Sequence, residues 1–192
     1  MTHMLENHPE ARQKVENLVL RASQAVTEGR DAVQGMRSST DVKNDLACAL
    51  TAVGESLAAD QSGASPVEFE VTVEGETSDL HPVLRDEVYR IGCEAIRNAF
   101  QHSGATRIEV EINYDTRQLR LRIRDNGKGI AANVLEEGRR SGHFGLPGMH
   151  ERARSADGKL NVWSAPGNGT EIELTLPASR AYTKPRTREV SS

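Results

Sequence analysis

The chain has 192 residues, enough for one full domain plus an appendage, and its 28 acidic against 24 basic side chains give a formal charge of −4. That balance offers no basic excess to hold a phosphate backbone, so general nucleic-acid binding is not expected. No apolar run approaches the roughly 20 residues of a membrane crossing. The N-terminus lacks the basic-then-apolar order of a signal peptide, and Cys48 and Cys93 make neither a disulfide framework nor a metal spacing. The expectation is a soluble protein of a reducing, cytoplasmic compartment.

From Ala11 to Met36 the apolar positions Ala11, Val15, Leu18, Ala22, Ala25, Gly29, Ala32 and Met36 alternate four and three residues apart. This is the seam of a supercoiled helix. Val19, Val26 and Val33 widen the stripe toward a bundle face, which a lone helix cannot bury, so a partner helix is expected. Ser38-Ser39-Thr40-Asp41 supplies N-cap chemistry for a second amphipathic helix through Leu46, Ala49, Leu50, Val53 and Leu57. Gln61 to Pro66 reads as its end and as a domain boundary.

Beyond Pro66 the period becomes two. Val67, Phe69, Val71 and Val73 alternate with Glu68, Glu70, Thr72 and Glu74, the pattern of a half-buried strand. Leu80 to Ser103 returns to helical spacing, with Leu80, Leu84, Val88, Ile91, Ala95 and Ala99 on one face. Ile108, Val110 and Ile112, then Leu119, Leu121 and Ile123, predict an antiparallel hairpin across the polar link 113–118. A glycine-rich stretch from Asp125 to Gly148 leads into a helix ending near Ser155. Leu160 and Val162, then Ile172, Leu174 and Leu176, form a last antiparallel pair. The residues after Pro177 are polar and basic and are expected to fray. Helices interspersed with such strands imply an α/β (α+β) two-layer sandwich on a mixed, largely antiparallel sheet.

Three segments carry chemistry. On the 80–103 helix, Glu94, Asn98 and His102 are four apart and share a polar ridge with Arg90. An Asn carbonyl oxygen can ligate a hard cation, and a neighbouring Glu can orient its water. Next comes Asp125-Asn126-Gly127-Lys128-Gly129-Ile130, directly after a strand. Its Asp can accept hydrogen bonds and its glycines let a ligand approach the backbone, although Asp-Asn-Gly is also an ordinary turn signal. The third is Gly142-His143-Phe144-Gly145-Leu146-Pro147-Gly148, where glycines before a helix expose N–H groups and the positive dipole end to phosphate. It is neither a Walker loop nor a dinucleotide fingerprint.

Together these segments resemble a known family. Glu94 to Ser103 resembles the N box of sensor histidine kinases, Asp125 to Gly129 their G1 box, and Gly142 to Leu146 their G2 box. Gly167-Asn168-Gly169-Thr170 resembles the closing segment. The His102-Ser103 ending is similar to the subfamily paired with nitrate-response-type regulators. The resemblance covers roughly residues 65–177 and implies the Bergerat ATP-binding fold shared with type II topoisomerases, Hsp90 and MutL. It further implies that Asp125 accepts the adenine amine, with Gly127, Gly129 and Ile130 against the base and Thr170 acting near it through water. Asn98 would ligate Mg²⁺, with Glu94 ordering the ion or its water. His102 would lie toward the phosphates, cradled by the backbone of Gly142, His143, Phe144, Gly145, Leu146 and Gly148. Residues 130–141 would form a lid over ATP.

A histidine kinase also needs a phosphoacceptor His beside an acid on a dimeric bundle helix. His3 and His8 lack the adjacent acid, and His150-Glu151 falls in the helix after the phosphate loop. The expected organisation is therefore 1–62, a partial helical dimerisation region; 63–179, the catalytic ATP-binding domain; and 180–192, a frayed tail. This implies the C-terminal part of a longer kinase, a homodimer through the helical arm, a response-regulator partner, and membrane attachment only through segments upstream. The competing expectation is a regulatory module of the anti-sigma-factor serine-kinase kind, whose N box is similar but which lacks a bundle arm.

Overall fold

The structure is a computed structural model that describes residues 46–60, 66–131 and 145–183. The heptad segment expected at 11–36 lies outside the described residues. The chain divides into two compact units, Met1–Lys43 and Asn44–Ser192, and all described residues belong to the second.

That unit runs α1 (Leu46–Ala59), β1 (Glu68–Glu74), α2 (Pro82–Asn98), a π-helical turn (Ala99–Ser103), β2 (Arg107–Tyr114), β3 (Gln118–Asp125), α3 (Gly145–Ser155), β4 (Lys159–Ser164), β5 (Thr170–Pro177) and α4 (Ala178–Ala181). The five strands form one sheet in the order β1-β2-β3-β5-β4. β1 pairs parallel to β2, and α2 supplies the crossover that a parallel pair requires. Every other pairing is antiparallel. This is the mixed, largely antiparallel sheet that the period-two segments predict.

Alternation along the strands sorts the two faces. Ile108, Val110, Ile112, Leu119, Leu121, Ile123, Ile172, Leu174 and Leu176 are buried against Val88, Ile91, Ala95 and Ile96 of α2 and Met149 and Ala153 of α3. The other face carries an Arg row on β3 between acids. In the ladder Arg124 lies between Glu109 and Glu171, and Arg122 between Glu111 and Glu173. Arg120 and Arg122 both engage Glu111. Opposite charges on neighbouring strands support the register, but at this exposure each pair contributes only about 0–1 kcal/mol.

Two expectations about the domain edges are corrected. α1 was expected to be part of a separate arm ending at residue 62. Instead Leu46 and Leu50 are buried in the common core, at 2% and 0% exposure. Buried Gly54 lies where any Cβ would strike the ring of Phe69 on β1. Leu46, Leu50 and Gly54 lie on one face at spacing four, and that face is complementary to this domain. The second correction is at the C-terminal end, expected to fray after Pro177. There α4 forms, Ala181 and Tyr182 are buried, and the Tyr182 hydroxyl donates to the carbonyls of Asp115 (3.0 Å) and Gln118 (3.2 Å). Its ring stacks on Tyr114 with centroids 6.4 Å apart. The backbone N–H of His81 donates to Ala181, which pins the entry to α2.

If α1 is part of this cooperative unit, Leu50→Ala should lower its unfolding free energy by about 2–5 kcal/mol, as for other buried Leu truncations. Urea unfolding followed by circular dichroism measures this. A loss below about 0.5 kcal/mol, the scale of a surface change, would mean that α1 does not share the core.

Candidate functional site

The sheet ends bring two of the sequence-predicted segments together. Asp125 is the last residue of β3 and lies opposite Thr170, the first of β5. Only 5% of it is exposed. Its Oδ1 accepts the backbone N–H of Gly127 at 2.9 Å. Burial pushes the carboxyl above its ordinary value of 3.8, while the N–H groups of Gly127 and Thr170 pull the other way. An acceptor carboxylate taken out of water in this way has a high demand for a donor.

The loop after Asp125 is held at both sides by backbone contacts. Asn126 Oδ1 accepts the N–H groups of Thr106 and Arg107 at 2.9 and 3.0 Å, and its Nδ2 donates to Thr106 Oγ1. The Lys128 N–H donates to the Ser103 carbonyl at 2.9 Å. Gly127 packs so closely on Ser103 that a Cβ would collide with that carbonyl. On the opposite side the Gly167 N–H donates to the Lys128 carbonyl at 2.8 Å. Gly129 and Gly169 have φ of +68° and +71°, a region that side chains disfavour. A Cβ on Gly129 would meet the Ala165 carbonyl, and one on Gly169 the Asp125 carbonyl. The 125–130 loop and the 164–170 turn thus lie backbone against backbone, and the glycines are a steric requirement.

Ser164, which the sequence reading passed over, joins the two. Its Oγ accepts the Ile130 N–H at 2.8 Å and lies 2.9 Å from both the Gly169 carbonyl and Thr170 Oγ1. Ser103 and Asn126 stand inside the quoted motifs but have no role of their own assigned there. Their work is done through backbone partners, which composition and periodicity do not register. The only available signal for Ser164 was a Ser at the end of an alternating strand, next to a Pro-Gly turn.

The second cluster lies at the end of α2. Asn98 Nδ2 donates to Glu94 Oε1 at 3.4 Å, and Arg97 lies 3.7 Å from the other Glu94 oxygen. Gly145, which opens α3, sits against this pair: a Cβ there would be 2.7 Å from Glu94 Oε1 and 3.2 Å from Asn98 Nδ2. The second and third predicted segments therefore meet the first at different places. Ser103 touches the 125–130 loop, and Glu94 with Asn98 faces the start of α3. A carboxylate near the first turn of α3 also suits the positive end of its dipole.

The remaining predicted residues sort as follows. His102 is exposed on the π-helical turn. Leu146 packs partly on the core, and Gly148 has open space where a Cβ would stand. Gly142, His143 and Phe144 lie outside the described residues, as do 132–141 of the expected lid. Glu94 and Asn98 present oxygen donors of the hard type that Mg²⁺ selects, and two such donors suit an ion whose other ligands are phosphate and water. Among the described residues no group of three or more His, Cys, Asp or Glu could hold a metal by itself.

Over 112 residues the chain is 33% identical to the sensor histidine kinase LiaS of Bacillus subtilis (strain 168), which is 58% of this chain and 29% of LiaS. It is 40% identical over 97 residues to the sensor protein VraS of Staphylococcus haemolyticus (strain JCSC1435), covering 50% of this chain and 27% of VraS. The chain thus spans less than a third of these relatives' length. The histidine kinase domain of the blue-light activated histidine kinase from Erythrobacter litoralis EL346 shares the fold at a TM-score of 0.55, with 24% identity, over 74% of this chain and 65% of that domain. The family model of histidine kinase-, DNA gyrase B-, and HSP90-like ATPases matches residues 84–180. That span begins within α2, contains Asp125, Thr170, Glu94 and Asn98, and ends in α4: the chain belongs to this ATPase family.

Proposed function

We propose that the described domain binds Mg·ATP and is the catalytic part of a sensor histidine kinase, donating the γ-phosphoryl group to a histidine on a dimerisation helix. The observation that carries the reading is Asp125: a carboxylate buried at a strand end, held by the backbone N–H groups of Gly127 and Thr170, whose oxygens have lone pairs for a further donor. The exocyclic amine of adenine supplies one, and the 6-oxo group of guanine does not. Gly127 and Gly129, whose missing side chains let the loop pack on Ser103 and Ala165, would shape the wall on which the base lies, with Ile130 and Thr170 beside it. Asn98 would ligate Mg²⁺ and Glu94 would order the ion or its water; the ion, when bound, offsets phosphate charge during transfer. The N–H groups at the start of α3, those of Gly145, Leu146 and Gly148 on either side of Pro147, would face phosphate oxygens. His102, with Gly142, His143, Phe144 and Gly148, belongs to the same proposed phosphate region.

In the reaction an imidazole nitrogen attacks the γ-phosphorus, the bond from that phosphorus to the bridging oxygen breaks, and ADP leaves with the electron pair. The protein contributes alignment and a site from which water is excluded. A response regulator as acceptor of the phosphoryl group, a homodimer through the heptad segment at 11–36, and a cytoplasmic position with membrane attachment elsewhere in the protein complete the proposal. Among the described residues no helix is long and apolar enough to cross a membrane. The sensor-kinase relatives favour this reading over a serine-kinase regulatory module.

Calorimetric titration with ATP tests the site. Binding should depend on Mg²⁺, and Asp125→Asn and Asn98→Ala should each weaken it at least about tenfold, the scale of losing a charged or metal-linked contact. Unchanged binding in both variants would overturn the assignment.

The raised carboxyl of Asp125 predicts two pH effects of opposite sign. Below 3.8 the folded and unfolded chains are both protonated at this position. As pH rises through the raised folded value, the folded chain takes on a buried charge that the unfolded chain solvates freely, so its stability falls. Asp125→Asn should flatten the part of the urea-unfolding profile that lies above pH 3.8 and below the raised folded value. ATP affinity should move the other way and weaken on acidification, because the protonated acid no longer accepts freely from the adenine amine. A wild-type stability profile matching that of Asp125→Asn would contradict the first effect, and acid-insensitive ATP binding the second.

A further inference from the structure

Ser164 has one hydroxyl proton and two lone pairs, and three neighbours within bonding distance. The Ile130 N–H at 2.8 Å can only donate, and the Gly169 carbonyl at 2.9 Å can only accept. Thr170 Oγ1, also at 2.9 Å, can do either. All three contacts are satisfied together in a single arrangement: the Ser164 proton goes to Gly169, one lone pair takes Ile130, and the other takes the proton of Thr170. Thr170 Oγ1 then presents lone pairs alone to whatever lies in front of it. Asp125, directly across the ladder from Thr170, also presents lone pairs alone when ionised.

We propose that Ser164 is a positioning residue that fixes the hydroxyl of Thr170 as an obligate acceptor, so that the base pocket offers two acceptors and no donor from this edge. The inference rests on the Mg·ATP reading and deepens it, because it names a residue that sets base selectivity without touching the base. A 6-amino purine supplies the donor that this edge needs, directly or through water. A 6-oxo purine brings an acceptor against two acceptors. Without Ser164 the Thr170 hydroxyl is free to rotate and donate, and the penalty on the 6-oxo group shrinks. The same hydroxyl fixes Ile130, so the exit of the 125–130 loop and the base-facing edge of β5 are held by one atom.

The test is calorimetry of the full chain with ATP and with inosine triphosphate in Mg²⁺, two ligands that differ at the purine 6-position and the adjacent ring nitrogen. Wild type should prefer ATP. Ser164→Ala should reduce the ATP-to-inosine preference about fivefold, the scale of one hydrogen bond, while Ser164→Thr, which keeps the hydroxyl, should retain it. In a Thr170→Val background, Ser164→Ala should change the preference no further, because the group through which it acts is gone. A Ser164→Ala chain that melts at a lower temperature but keeps the wild-type preference would overturn the inference and leave a merely structural serine. If Ser164→Ala does not fold, Ser164→Thr and Thr170→Val decide: the first should keep the preference and the second narrow it, and a wild-type preference in Thr170→Val overturns the proposal. Wild-type chain that binds neither ligand would instead bring down the nucleotide reading itself.

Discussion

The site depends on keeping one carboxylate out of water. Asp125 is placed at the end of β3 by a register in which Ile123 and Leu121 point into the core. The strand ends there, so the next inward position is filled by an acid. Burial alone would neutralise it. The two N–H groups that face it, from Gly127 and Thr170, come from the loop that follows and from the neighbouring strand, so its ionised form needs both segments in place. The close approach of Gly129 to Ala165 and of Gly169 to Asp125 brings them there. Local backbone packing and the chemistry of the site are in this respect the same constraint.

The opposite face of the sheet works by a different rule. The Arg row on β3 between the acids of β2 and β5 keeps that face wet and fixes register through charge. Salt weakens exposed pairs of this kind as the Debye length falls from about 10 Å at 0.1 M to about 3 Å at 1 M. The hydrogen bonds around Asp125 are sheltered from that screening. High salt should therefore loosen the outer face before it disturbs the site.

Much of this was legible in the sequence because it rests on periodicity. Alternation at 67–74, 108–123 and 172–176 fixes strands and faces, and the helical face from Leu80 to Ala99 fixes α2 against them. Asp125, Asn98 and Glu94 stand out because their segments, taken together, resemble the boxes of sensor histidine kinases; type and spacing alone give a polar helix ridge and a turn. What escaped is of two kinds. Ser164, Ser103 and Asn126 act by bonding to backbone groups far along the chain, and no spacing rule reports such pairings. The packing of the helix at 46–59 and of the segment at 178–182, expected to join an arm and to fray respectively, escapes for another reason. An amphipathic stripe says that a face must be covered but not by what, and one Tyr in a polar run gives no period at all.

The Tyr182 clasp has a practical consequence for where this domain can be shortened. The carbonyls that receive its hydroxyl lie in the β2–β3 turn, and the strand-like bridge from Tyr182 to Leu80 sits just ahead of the helix that ends in Glu94 and Asn98. A chain cut at the proline closing β5 would leave the turn carbonyls and the root of that helix to solvent, although the cut lies far in sequence from either cluster. Among the described residues these contacts run as far as Thr183, whose own N–H donates to the Asp79 carbonyl.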